Sequence, residues 1–408
     1  MSMKQNLLVL LLIMICHACA PSNPLSDKEI LDIVNAHRPL SGYIIPADIQ
    51  YRLGATHVDG KYYLSDKPFM IEGAEKLSDL GYGMLKLWFD IKEGKVKGYE
   101  YNSDWQTSSN TTLKELAAHP YYQACFNMPF QTISLCVNQY FPGNRTDSIS
   151  EMMMVVEQNI YELSKYLLET YKNKDLTFIL QNWEGDWLLR GGTGEEAMWH
   201  LNGPTEDYQI RIKNMIDWFS ARQRGIQRAR IEITESQCRV LHAVEANRVM
   251  DGMNGVPSVA THVLPQIETD LVSWSAYDGI DEIGLKMYKG IDFLKKQLRP
   301  TAYMNGNKEI MIGEIGYPEN MHNRTGEQVR KMWDTFMAVY LAQDISYIFM
   351  WELYCNELKN DEFDRKQFPI RNANELRGFW LIRPDGSKSW AQEYMDLLLL
   401  NPGKQIIE

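Results

Sequence analysis

The feature that most constrains this chain is an alternation. Short apolar runs rich in β-branched and aromatic residues are separated by longer stretches of helical periodicity over most of its 408 residues. A parallel sheet requires that pattern, because parallel neighbours need a crossover and cannot be joined by a tight turn. About eight strand candidates can be marked, the number that closes a barrel. They are GYIIPADIQY (42–51), GMLKLWFD (83–90), TISLCVNQYF (132–141), LTFILQNWE (176–184), CRVLHAVEAN (238–247), LVSWSAYD (271–278), EIMIGEIGYP (309–318) and YIFMWELYCNE (347–357). The expected fold class is α/β, a (β/α)8 TIM barrel over 41–400 with long βα loops, as one domain without a linker or internal repeat.

Between the strands, 149–171 places Met153, Val156, Ile160, Leu163 and Leu167 at steps of three and four, a stripe that covers a sheet. Thr205 is read as the N-cap of the next helix, and Thr325 with Gln328 as a capping box. The arginine-rich run 220–235 is read as a solvated face at a helix end. Segments 91–131 and 185–204 exceed ordinary βα loops, and such loops rise over the carboxyl ends of barrel strands.

Residues 1–19 read as a bacterial lipoprotein signal. Lys4 precedes an apolar run, Leu7 to Ile15, too short for a membrane anchor, and Ala18 stands before Cys19. The chain is therefore expected to be exported to the cell envelope, in the periplasm or at the outer membrane, and to meet membrane only through a lipid anchor on Cys19. A plain secreted protein is the alternative. Residues 20–40 form an N-terminal segment. The net charge of −11, without a basic stripe, excludes a nucleic-acid partner. Cys125, Cys136, Cys238 and Cys355 form no CxxC pair and no metal-ligand spacing, so neither metal nor organic cofactor is implied. A Cys125–Cys136 disulfide and buried free thiols are both compatible with the spacing. Oligomeric state is not specified.

Polarity gathers at the strand ends. Lys86 and Trp88 close the second candidate, Asn138 the third, Asn182, Trp183 and Glu184 the fourth, with Trp187 just beyond. His242 and Glu245 lie in the fifth, Tyr277 in the sixth, Glu314 in the seventh, and Trp351 and Glu352 in the eighth. In a barrel that end carries the chemistry. Glu184 and Glu314 matter most, because cleaving a glycosidic bond needs one protonated carboxyl for the leaving oxygen and one ionised carboxylate at the anomeric carbon. Asp186 is the alternative acid. Glu245 and Glu352 are read as supporting or ion-paired groups, and Lys86, Trp88, Asn138, Asn182, Trp183, Trp187, His242, Tyr277 and Trp351 as candidate substrate contacts.

The order of elements resembles the clan A glycoside hydrolases, retaining (β/α)8 enzymes of the family-five type. The pieces that carry the resemblance are GAEKLSDLGYGMLKLW, QNWEGDW, SAYD, GEIGYPE, MWE and GFWLIRPDGSKSWA, with GEIGYP similar to the family's nucleophile motif. The resemblance spans roughly residues 40–395. It implies Glu314 as nucleophile, Glu184 as general acid/base, Tyr277 as the residue holding the nucleophile, Trp351 as the floor under the sugar, and an oligo- or polysaccharide substrate. One position departs: the family carries Asn directly before its acid/base, whereas here Trp183 intervenes between Asn182 and Glu184. A barrel that binds glycan without cleaving it is the alternative function.

Overall fold

The computed structural model describes residues 24–138, 140–360 and 368–406. The expectations for Cys19 and the segment 1–19 lie outside the described residues. Eight parallel strands close a barrel: β1 Leu53–His57, β2 Met84–Trp88, β3 Thr132–Cys136, β4 Thr177–Gln181, β5 Arg239–Ala246, β6 Leu271–Ser275, β7 Glu309–Ile315 and β8 Ile348–Met350. Each pairs with its neighbours in sequence, and β1 closes on β8 through Leu53 opposite Ile348.

Seven of the eight expected strands are present, trimmed at their ends. The first is a correction. Residues 42–51 carry Pro46 and end in a short 3-10 turn, Ile49–Tyr51, with Ile45 and Ile49 buried as anchors. The strand is the next segment, LGATH, which lacks the bulky branched residues that mark its neighbours. Its small residues have a packing cause: a Cβ on Gly54 would lie 2.7 Å from the Met84 side chain of β2. Barrel interiors take their volume from few side chains, and here Met84 fills the place that residue 54 leaves open.

Inside the barrel, Met84, Ile179, Leu241, Ala243, Leu271, Met311 and Phe349 form a closed apolar cluster, one or two per strand. The outward-facing residues of the same strands join the larger core under the helices. The long helix Ile149–Thr170 buries the expected stripe from Met153 to Leu167. Thr325 and Gln328 form the expected capping box on Gly326–Ala342. Thr205 does not cap its helix, which starts at Tyr208 and runs to Glu232, taking the arginine run into its middle and last turns. Arg224 and Arg228 pair with Glu157 at the surface, but Arg222 is buried and Arg230 binds Asp270 beneath the barrel wall. The four cysteines among the described residues are buried and free, so no disulfide joins Cys125 to Cys136.

Candidate functional site

Strand parity determines which side chains meet at the barrel mouth. Residues of the interior cluster continue upward, two at a time, to Lys86 and Trp88 on β2, Gln181 on β4 and Trp183 just beyond it, Glu245 on β5, and Ser273 and Ser275 on β6. Glu314 would have the wrong parity. The register shifts there: Trp274 pairs with Ile312, and Ser275 with Glu314, so one extra residue on β7 turns Glu314 inward. Glu184 comes one residue after the inward-facing Trp183, in a left-handed conformation with φ of 31°. That conformation is costly for a side chain larger than glycine and is retained where the surroundings enforce it. It lets Trp183 and Glu184 face the same cleft.

Glu184 and Glu314 both line this cleft, whose volume is about 730 Å3. Glu314 is 4% exposed. Its Oε1 accepts a hydrogen bond from the Tyr277 hydroxyl at 3.1 Å, and its Oε2 lies 3.5 Å from Lys86 Nζ. Glu184 Oε1 accepts from Ser275 Oγ at 3.2 Å. Burial, followed by the negative charges of Glu314 and Glu245, pushes the Glu184 carboxyl well above its ordinary range. Burial raises Glu314 as well, but Lys86 and the Tyr277 hydrogen bond draw it back. Of the two, Glu314 ionises first. Burial alone would lower the Lys86 ammonium; the Glu245 and Glu314 carboxylates outweigh it and hold the group above its usual value. The arrangement therefore sets a carboxyl that keeps its proton longer beside one that ionises first, the division of labour that acid-assisted nucleophilic displacement needs.

Trp88, Trp183, Tyr277 and Trp351 line the same cleft. Trp88 and Trp351 are tilted against each other with ring centroids 6.0 Å apart. Lys86 lies under the floor, fully buried, and donates to the Gly313 carbonyl at 2.8 Å.

Besides Lys86, which does not line the cleft, four expected contacts lie elsewhere. Asn182 has outward parity and is fully buried; it exchanges hydrogen bonds with the Glu245 backbone at 2.8 and 3.1 Å and so clamps β4 to β5. His242 also has outward parity and packs under the helices against Arg222, Gln223 and Thr269. Burial, then the charges of Arg222 and Arg230, push it far below its usual range, so it is a neutral packing residue. Trp187 does not line the cleft; its ring has the guanidinium groups of Arg190 and Arg248 at 5.8 and 5.4 Å. Asn138 acts indirectly: its Oδ1 accepts from the Trp183 amide at 2.7 Å and steadies that ring.

Asp186, the alternative acid, is fully buried and accepts from the amides of Asn247, Arg248 and Val259 at 2.8 to 3.0 Å. Its oxygens are spent on backbone, and it does not line the cleft. Glu352 is buried as well, with Oε1 accepting from the Asn356 amide.

The cleft also holds residues that the sequence did not single out. Asp59 follows β1, Lys97 and Glu100 come from the long loop after β2, and Asn356, Glu357 and Phe379 from the segment after β8. Phe379 meets Tyr277 edge to face at 6.3 Å and fills the space over Gly316, where a Cβ would lie 2.6 Å from its ring. No periodicity marks a loop residue, so this contribution was invisible before folding. Among the described residues, no group of three or more His, Cys, Asp or Glu side chains could hold a metal ion.

No protein-family model matches the chain, and no curated protein resembles it in sequence. Solved structures do resemble it. A family 26 endo-β-1,4-mannanase from Cellulomonas fimi matches with a TM-score of 0.50 at 12% identity, covering 92% of this chain and 74% of that one. A broad-specificity GH5-4 endoglucanase from Clostridium longisporum has a TM-score of 0.49 at 10% identity, covering 87% and 97%. An exo-β-1,4-mannosidase from Opitutaceae bacterium strain TAV5 has 0.48 at 12%, covering 88% and 60%. The likeness is one of fold. What the likeness shares is the eight-stranded barrel alone, and the chemistry rests on the site itself.

Proposed function

We propose that this protein is a retaining glycoside hydrolase acting on an oligo- or polysaccharide. The observation that carries the reading is the pair at the cleft: Glu184 from the end of β4 and Glu314 from the bulge of β7, in electrostatic contact, one backed by Ser275 and the other by Tyr277 and Lys86. In the first step ionised Glu314 attacks the anomeric carbon while Glu184 gives its proton to the leaving oxygen, and a glycosyl ester forms on Glu314. In the second, Glu184 takes a proton from water, the oxygen of that water attacks the anomeric carbon, and Glu314 leaves as carboxylate. Lys86 and the Tyr277 hydroxyl stabilise the negative charge on Glu314 before attack and after release. Trp88, Trp183 and Trp351 supply apolar faces for sugar rings. The cleft volume falls within the range of small-molecule sites, about 300–1,000 Å3.

A glycan-binding barrel without turnover is the second reading, favoured by one observation. Asn182 is locked into the β4–β5 seam, so the amide that precedes the acid/base in clan A enzymes is replaced beside Glu184 by the Trp183 ring. The test is a turnover screen over aryl glycosides and polysaccharides, with Glu314→Gln in parallel. Hydrolysis by the wild type that falls at least about a thousandfold in the variant supports the hydrolase. Binding by both proteins with turnover by neither supports the binder.

A further inference from the structure

The mechanism uses two carboxylates, yet a third is buried between them. Glu245 is fully buried on β5. Its Oε1 accepts from the Glu184 amide at 2.8 Å, and its Oε2 accepts from Ser273 Oγ at 2.7 Å and Gln181 Nε2 at 2.9 Å. The Gln181 amide is oriented by Ser134, whose hydroxyl donates to its Oε1 at 2.8 Å, so the nitrogen faces Glu245. Lys86 Nζ lies 3.9 Å from the same Oε2 and reaches Glu314 on its other side. Every hydrogen bond at the Glu245 carboxyl thus comes from a donor, with the Lys86 ammonium beside it.

The neighbouring backbone is shaped around it. A Cβ on Gly313, directly before Glu314, would lie 2.4 Å from Glu245 Oε2. A Cβ on Gly185, directly after Glu184, would lie 2.3 Å from the Glu245 carbonyl oxygen. Gly313 therefore leaves room for the Ser273 hydroxyl and the Glu245 carboxyl, and Gly185 for the β5 backbone at residue 245.

Building on the hydrolase reading, we propose that Glu245 is a positioning residue that couples the two. Through the Glu184 amide it fixes the left-handed turn that aims the acid, and through Lys86 it places the cation beneath the nucleophile. The other charged or titratable groups around Glu184 are Glu314 on β7 and Lys86 on β2, with the Tyr277 hydroxyl beyond β6. Glu352 beyond β8 faces Glu314, and Cys136 on β3 faces Lys86. Glu245 raises both reacting carboxyls, so its neutralisation moves both limbs of the pH profile toward acid.

The experiment compares wild type, Glu245→Gln and Glu245→Asp in two readouts. One is the pH dependence of kcat/KM. The other is the carboxyl carbon-13 NMR titration of Glu184, assigned by its absence in Glu184→Gln, which needs no turnover. Glu245→Gln is expected to move the alkaline limb and the Glu184 titration down by about one pH unit, a tenfold change in acidity, while Glu245→Asp restores most of it. A Glu184 titration that stays in place in a folded Glu245→Gln protein overturns the proposal. If the wild type hydrolyses no sugar, the functional reading falls and the NMR titration alone decides this one. If Glu245→Gln does not fold, Glu245→Asp is read instead: withdrawing the charge by one methylene gives a smaller shift of the same sign, and no shift is the overturning result.

Discussion

Gly313→Ala probes the tightest contact under the nucleophile. The added methyl would sit 1.8 Å from Ser273 Oγ and 2.4 Å from Glu245 Oε2, where real contacts lie above 3.0 Å. Relieving that overlap drives β6 and β7 apart by about 1 Å and breaks the 2.7 Å hydrogen bond from Ser273 to Glu245. A hydrogen bond to a charged acceptor contributes about 1.5–3 kcal/mol, and forced overpacking costs about 1–3 kcal/mol, so the loss is about 2.5–6 kcal/mol. Unfolding entropy of about 2.1 cal/mol/K per residue gives a chain this size about 0.9 kcal/mol per degree, and the expected fall in Tm is about 3–7 °C. Calorimetry at pH 7 measures it against Gly194→Ala, where a Cβ meets nothing within 4 Å and φ is −73°. Adding Ser273→Gly to Gly313→Ala should recover part of the loss, because the 1.8 Å overlap disappears and the one with Glu245 remains. Equal Tm values for Gly313→Ala and Gly194→Ala would refute the reasoning.

Tyr277→Phe removes the 3.1 Å hydrogen bond to Glu314 and keeps the ring; kcat/KM is expected to fall about 10- to 100-fold and the acidic limb to move to higher pH, and steady-state kinetics across pH will show whether either happens. Asp186→Asn sets an amide N–H against backbone donors and should lower stability by about 2–4 kcal/mol in urea unfolding. Its pH profile should be unchanged; a displaced alkaline limb would return Asp186 to candidacy as the acid. Glu184→Gln tests linkage. The folded-state carboxyl is raised, so its contribution is fully present below the ordinary value of about 4.3 and is lost as pH rises through the folded value. The variant should match wild type in Tm near pH 4 and exceed it at pH 9, and Tm curves that run parallel would contradict the assigned shift.

The barrel was legible before folding because its signal is local and repeated. Seven strands announced themselves by branched and aromatic residues, and only LGATH was missed, since its small residues serve a contact with Met84 that no local pattern records. Part of the site was legible as well, but two expectations ignored parity. His242 is one residue out of phase with Leu241, Ala243 and Glu245, and Asn182 one out of phase with Ile179 and Gln181; alternation alone assigns both to the outer face.

What the sequence determined by itself is seven of the eight strands, their order around the barrel, and the end at which polar residues collect, because a period of two and the need for crossovers are properties of the local chain. Tertiary structure decided the rest. A bulge at Gly313 reversed the parity of Glu314, a left-handed turn brought Glu184 beside Trp183, and the loop after β8 delivered Phe379. It also separated three similar acids into different roles: Glu184 meets the cleft, Asp186 binds backbone amides, and Glu245 lies between a lysine and a glycine cut to fit it. A carboxylate's role follows from its solvation and its partners, and those are supplied by residues tens of positions away in the chain.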